Sequence, residues 1–289
     1  MMTTATPSLL SNIGDHMIGA ITFDLGRYLI AAGALSILLW LAKQYTEARR
    51  IQKRKASFAD YKREFLSSSR TVLIFAVTTI STVLFIEAGW VNIDRGTINW
   101  PIFAVQLAAM IVAHDAYFYW MHRALHHKLL FRMAHLHHHK SRTPTPWAAY
   151  SFASFEAFSE AAFVPAYLLL VSVIGAPMYD FAIFIFLAHM IVRNVMGHAG
   201  IELFPAGWTR SPLGWITTTT HHDLHHSQGS SNFGLYFTWW DRWMGTEHPQ
   251  YEEKFDAVAK PIRVSVGAAA NISIAAFAGL ALTSTITLV

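Results

Sequence analysis

Sixteen histidines and no cysteine make imidazole the main chemical resource of this chain. Most of the histidines fall in a few short stretches. HDAYFYWMHRALHH begins at His114 and sets His122 and His126 four residues apart. HLHHH begins at His135 and places His135, His138 and His139 at i, i+3 and i+4. HHDLHH begins at His221 and repeats that spacing in His222, His225 and His226. In NVMGH, Asn194 and His198 are again four apart. Residues three and four apart share a helix face, so each set is expected to aim its rings one way. Neutral imidazole is the commonest nitrogen ligand for first-row transition metals. Eight histidines at ligand spacing, with His198, are too many for one tetrahedral zinc. They suit two metal ions with several imidazoles each.

The remaining polar residues carry weaker expectations. His127, His137 and His221 sit beside the spaced positions and are expected to point elsewhere. His16 and His248 are expected at the surface, and His189 in a buried hydrogen bond. Asp115 and Asp223 read either as carboxylates that orient imidazoles or as ordinary polar contacts. Trp239, Trp240 and Trp243 read as interfacial anchors.

The elements that must position these residues are long and apolar. Of 289 residues, 53% are hydrophobic and 14% charged, and the mean hydropathy is +0.32. This composition argues against a disordered chain, a nucleic-acid partner and an ordinary cytosolic enzyme. The lack of cysteine excludes disulfides, zinc ribbons, Cys-ligated iron–sulfur clusters and thiol nucleophiles. The N-terminus does not read as a cleavable signal peptide. Apolar stretches cover residues 28–42 (extending back past Arg27, which is expected to snorkel), 71–91, 100–120 and 264–289. Residues 152–175 and 177–197 read as a helical hairpin broken at Gly175-Ala176-Pro177. A bilayer crossing takes about 20 apolar residues, which gives four spans plus this hairpin of unsettled depth. The hairpin carries Glu156, Glu160, Asp180, His189 and Arg193, so it is expected to face protein.

Nine Lys and Arg residues lie between positions 43 and 70, against Arg95 alone in the loop near 92–99. The positive-inside rule then puts the basic segment in the cytoplasm, both termini outside and every dense histidine stretch on the cytoplasmic face. The expected fold is all-α: a polytopic transmembrane helical bundle with a histidine-rich di-metal site at its cytoplasmic face. It is one membrane domain, with N-terminal helices and the basic loop in 1–99, a catalytic region in 100–250 and a last helix in 251–289.

The neighbours of the histidines resemble those of a known family. DAYFYWMHRALHH from Asp115, PTP from Pro144, NVMGHAGIE from Asn194, and HHDLHH followed by NFG and WDRWMGT are similar to motifs of the fatty acid hydroxylase/sterol desaturase superfamily. These are membrane di-metal oxygenases, and the likeness covers roughly residues 100–248. Two departures stand out. Ala153 and Ser154 occupy the place of a His-Pro pair, with Glu156 retained, so no role carries over to that corner. Asn194 stands where some lipid hydroxylases of the family have another histidine, which implies a smaller ligand shell.

The resemblance implies two iron ions held by His122, His126, His135, His138, His139, His198, His222, His225 and His226, with zinc expected to compete for them in purified samples. It implies O2 as co-substrate and hydroxylation, or desaturation, of a membrane lipid such as a sterol, fatty acyl chain or carotenoid. Electrons would come from a separate ferredoxin or cytochrome with its reductase, because no flavin, nicotinamide or cytochrome motif is present. The implied location is a bacterial inner membrane or the endoplasmic reticulum. Phe118, Trp147 and Phe152 are expected in the core, with the substrate path as their alternative place. The rival reading is a metal transporter or non-catalytic metal-binding membrane protein, but such ion sites usually sit near the midplane at broken helices. A zinc-pair hydrolase would want carboxylate ligands and a glutamate base, and HExxH is absent.

Overall fold

The computed structural model describes residues 9–261. The apolar stretch 264–289, and with it the expected last helix and the placement of both termini, lies outside the described residues. Helices α1 (Leu9–Leu41), α3 (Phe58–Glu87), α4 (Trp100–Leu125) and α8 (Asp180–Gly197) are the long ones, and α2 (Lys43–Thr46) is a single turn after α1. Helices α6 (Ser154–Ala161) and α7 (Phe163–Val173) follow each other closely and form one apolar arm. Five segments among the described residues are long and apolar enough to cross a membrane, and both hairpin arms are among them. The chain is thus helical and multi-pass.

Local sequence explains where the helices begin. Ser57 and Asp60 form a reciprocal capping box at the start of α3. Asn99 caps α4 by accepting from Ile102 N, and Pro101 occupies the first turn, where no N–H is needed. Arg27 departs from expectation. It does not snorkel, but pairs with buried Asp24 one turn away and is itself partly buried near the middle of the span Ile13–Leu41. Pairing removes the need to reach water, and so lets α1 continue unbroken.

Two aromatic-rich cores tie the helices together. Tyr28, Phe75, Tyr150 and Ile191 join α1, α3 and α8. Met110, Phe163, Leu168 and Phe186 join α4, α7 and α8. At one end of the bundle, β1 (Ile93–Asp94) pairs in parallel with β2 (Met178–Tyr179), locking the α3–α4 loop to the α7–α8 turn. The other end gathers the C-termini of α4 and α8 with the short helices α5 (Phe131–Ala134), α9 (Thr219–Gln228), α10 (Trp239–Trp243) and α11 (Tyr251–Val258). Phe204, Leu224, Tyr251 and Phe255 seat α9 on α11. The basic segment packs at this same end. Arg49 is buried and donates to the carbonyls of Glu202, Phe204 and Lys260.

Candidate metal centre

Each histidine stretch reaches the site by a different local device. His122 sits in the last turn of α4 and His126 caps it. The HLHHH stretch is not the expected helix. Helix α5 ends at Ala134, His135 is its C-cap at φ −132°, and His138–Lys140 is one turn of 3-10 helix. Backbone bonds from His138 N and His139 N to His135 O keep the three close. The tighter winding of a 3-10 turn makes successive side chains diverge, and the His138 and His139 rings stand at 89°. The last stretch does form a helix, α9, capped by Thr218 and ended by Gly229 in the left-handed region at φ 73°. His198 caps the end of α8.

The nine histidines singled out by spacing converge into two groups: His122, His126, His135, His139 and His225, and beside them His138, His198, His222 and His226. Each HxxHH stretch therefore straddles both groups, and the expectation of one shared direction per stretch is corrected. The first gives two rings to the five-membered group and one to the four-membered group; the second does the reverse.

Within the first group, Nε2 atoms lie 3.0 Å apart for His122–His135 and His139–His225, 3.1 Å for His126–His139 and 3.2 Å for His126–His225. Within the second, His198 Nε2 lies 3.1 Å from His222 and His226 and 3.3 Å from His138. Ordinary hydrogen bonding does not account for these contacts. His122 Nδ1 donates to Phe233 O at 2.9 Å, His225 Nδ1 to Ser231 O at 2.8 Å, His198 Nδ1 to Asn194 O at 2.7 Å and His138 Nδ1 to Ser151 O at 3.3 Å. His135 Nδ1 donates to Glu156 Oε1 at 2.7 Å. A neutral ring that donates through Nδ1 has a bare lone pair at Nε2. His122 faces His135, and His138 faces His198, with lone pairs opposed. Such pairs repel unless a cation sits among them, so the donor set fits two transition-metal ions with nitrogen ligands. Burial, reinforced by the neighbouring rings, holds His135, His138, His222, His225 and His226 far below the ordinary histidine range. His139 and His198 fall to about 3 and about 4 for the same reason. The rings are therefore neutral and available as ligands.

The other polar residues sort differently. His127 and His16 are exposed. His137 turns away to Ser67 Oγ, 2.7 Å distant. His221 also points away, but it is fully buried, packed on Tyr251 and 3.4 Å from Asp241 Oδ2. His248 is buried, not at the surface, and its Nε2 lies 2.8 Å from Gln228 Oε1. His189 packs on Tyr236, and its Nε2 has no hydrogen-bond partner among the described residues. Asp115 accepts from the backbone of Tyr236 and Phe237, and Asp223 from Gln52, so the polar-contact reading holds for both. Trp243 is exposed, while Trp239 stacks on Trp215 and Trp240 on Tyr119. The carboxylate that does orient one of the nine rings is Glu156, at the corner to which no role carried over. Its retention beside the missing His-Pro was the signal. The carbonyls of Ser151, Asn194, Ser231 and Phe233 had none, since any residue supplies one. Asn194 donates its amide to Ala149 O.

A cavity of about 310 Å³ runs through the bundle between α1, α3, α7 and α8. Phe152, Glu160 and Asn194 line it and also line the small space against the histidines. Phe118 borders the histidine space alone, and Trp147 borders neither.

Residues 107–246 match the family model described as fatty acid hydroxylase. A Delta(7)-sterol 5(6)-desaturase of Gibberella zeae is 29% identical over 207 residues, which is 70% of this chain and 60% of that protein. Lathosterol oxidase of Mus musculus is 27% identical over 203 residues, 65% of this chain and 61% of the relative. A very-long-chain aldehyde decarbonylase of Oryza sativa subsp. japonica is 31% identical over 153 residues, 50% of this chain and 23% of the relative. The chain thus spans about 60% of the length of the first two. No solved structure matches.

Proposed function

Because the chain belongs to the fatty acid hydroxylase/sterol desaturase superfamily, we propose that it oxidises a C–H bond of a membrane lipid with O2. The observation that carries this reading is the meeting of two groups of bare imidazole lone pairs with the end of an apolar intramembrane cavity. Two iron ions bound by the nine histidines would supply the O2 chemistry that an unactivated C–H bond requires. The protein's own part is positional. Glu156 and four backbone carbonyls fix the ring orientations. The cavity admits a lipid from the bilayer and keeps bulk water away from the reacting carbon. Hydroxylation consumes the C–H bond, O2, two electrons and two protons and gives an alcohol and water. Desaturation consumes two C–H bonds on adjacent carbons with the same O2, two electrons and two protons, and gives an alkene and two waters. The electrons come from a separate ferredoxin or cytochrome with its reductase. Two of the relatives have names of sterol-oxidising enzymes, which favours a sterol-like lipid.

The histidine end is the cytoplasmic one in this reading. The nine basic residues of positions 43–70 lie at that end, and Arg95 lies at the other. The chain has no native cysteine, so single Lys53→Cys and Thr97→Cys variants report sidedness directly. Labelling of Lys53→Cys from outside intact cells would overturn the orientation. The reaction is tested by ¹⁸O2 turnover of candidate lipids by iron-loaded protein in reconstituted membranes with reductant. Label in a new hydroxyl identifies hydroxylation, and an unlabelled new double bond identifies desaturation. Equal turnover without O2 would overturn the oxygenase reading.

A further inference from the structure

The histidines leave the polar groups of the large cavity unused. Its rim carries Arg95 and Asp180, and its inner end reaches Asn194. Asp180 and Asn194 are fourteen residues apart on α8, or about 21 Å of helix. The cavity is therefore long for its volume and suits an elongated molecule.

Between the two ends, α1 presents Asp24 and Arg27 to the cavity. Arg27 Nε donates to Asp24 Oδ1 at 2.7 Å, and Arg27 Nη2 lies 2.7 Å from the same oxygen. Arg27 Nη1 donates to Leu187 O at 3.3 Å. An ion pair at this depth is costly and by default marks function. A guanidinium has five N–H groups, and these contacts use one on each nitrogen. A second N–H remains on each terminal nitrogen, and Asp24 Oδ2 has no partner among the described residues. Tyr150 lines the same cavity with its ring 5.6 Å from the Arg27 guanidinium carbon. Its hydroxyl is buried and also unpartnered among the described residues.

We propose that Asp24, Arg27 and Tyr150 form a binding subsite for a neutral hydroxyl group, so that the lipid this chain takes is an alcohol. The claim rests on the proposed oxidation only for what happens at the inner end. The pair carries no net charge and offers a donor beside an acceptor. A hydroxyl satisfies both, with its lone pairs toward Arg27 and its proton toward Asp24. A carboxylate or phosphate would bring its own charge against Asp24. A hydrocarbon would leave the spare Arg27 N–H groups and Asp24 Oδ2 without a partner in a low-dielectric wall, although the pair itself stays intact, the situation in which a site rejects an analogue lacking its oxygen. Leu187, which anchors Arg27, lies seven residues before Asn194, about 10 Å along α8. The hydroxyl and the carbon offered to the histidines are separated by about that length.

The test is equilibrium binding to the full chain in nanodiscs, with octadecanol against octadecane and cholesterol against cholestane as probes. In the wild type, at least one alcohol binds about 10-fold or more tighter than its hydrocarbon, as one hydrogen bond to a charged group provides. The charge-neutral double variant Asp24→Asn/Arg27→Gln brings that preference to within about 2-fold and leaves hydrocarbon binding unchanged. Tyr150→Phe, which breaks no protein hydrogen bond, lowers the preference about 3-fold, and it stands even where the double variant fails to fold. No preference for either alcohol in the wild type, or a preference that survives these substitutions, overturns the subsite. An alcohol preference without any O2-dependent lipid oxidation overturns the proposed function and leaves the subsite standing. Lipid oxidation without an alcohol preference does the opposite.

Discussion

The two histidine groups are neighbours but differ in support. The first has five rings and includes the one ring of the nine that, among the described residues, hydrogen-bonds a carboxylate, His135 with Glu156. The second has four rings, its supporting acceptors are neutral carbonyls, and His226 Nδ1 has no partner among the described residues. A carboxylate behind an imidazole raises its basicity and fixes its orientation. On the proposed two-metal reading, the first group would retain its ion and the second would hold one more loosely. In a two-metal site this asymmetry separates a permanent ion from an exchangeable one.

Removing a ring has the largest expected effect. His225→Ala in the first group and His226→Ala in the second should each lower turnover by more than about 100-fold, above the range for losing a supporting partner. Both proteins should still insert, since insertion depends on the apolar spans. Near-normal turnover in both would remove the ligand assignment. Chelation sharpens the contrast between the groups. Metal release from iron-loaded protein is expected in two phases, and His226→Ala should abolish the fast one. Loss of the fast phase in His225→Ala instead would reverse the ranking. Glu156→Gln keeps the shape of the side chain and removes its charge, so affinity in the slow phase should weaken about 10–100-fold. A subtler change is Gly197→Ala. Its Cβ would stand 3.3 Å from His222 Cδ2, so the ring must give slightly, and only the fast phase should accelerate, by a few-fold, with the helix otherwise favoured. The smallest effect is expected at His137, which faces Ser67, away from both groups. His137→Gln should turn over at close to the wild-type rate. His221 is no such control, because its full burial against Asp241 makes any loss there partly structural.

Much of this arrangement was legible in the residues. The apolar runs announced a multi-pass helical chain, and histidine spacing picked out the nine rings that now converge. Spacing was informative because the requirement is local: residues three or four apart stay close in an α-helix and in a 3-10 turn alike. It misled about direction in both HxxHH stretches: at His135–His139 because spacing alone does not distinguish the two windings, and on α9 because His225 is turned from His222 and His226 and meets a different set of rings. It also left His248 at the surface, because the loop that covers it is contributed by distant residues such as Asn232 and Gln228.

The sequence by itself determined which histidines share helical spacing, how many there are, and that the chain carries helices long and apolar enough to cross a membrane. Only the tertiary structure decided how the rings divide. One HxxHH stretch supplies two rings to the first group and one to the second, and the other supplies the reverse, because both stretches meet the rings of His122 and His126 from α4 and His198 from α8. It also decided that Glu156 stands behind His135, and that Asp24 and Arg27 face a cavity and not the lipid. These are relations between segments tens of residues apart. Their register is set by the aromatic cores that pack the helices together, and side-chain packing between distant segments leaves no periodic trace in the chain.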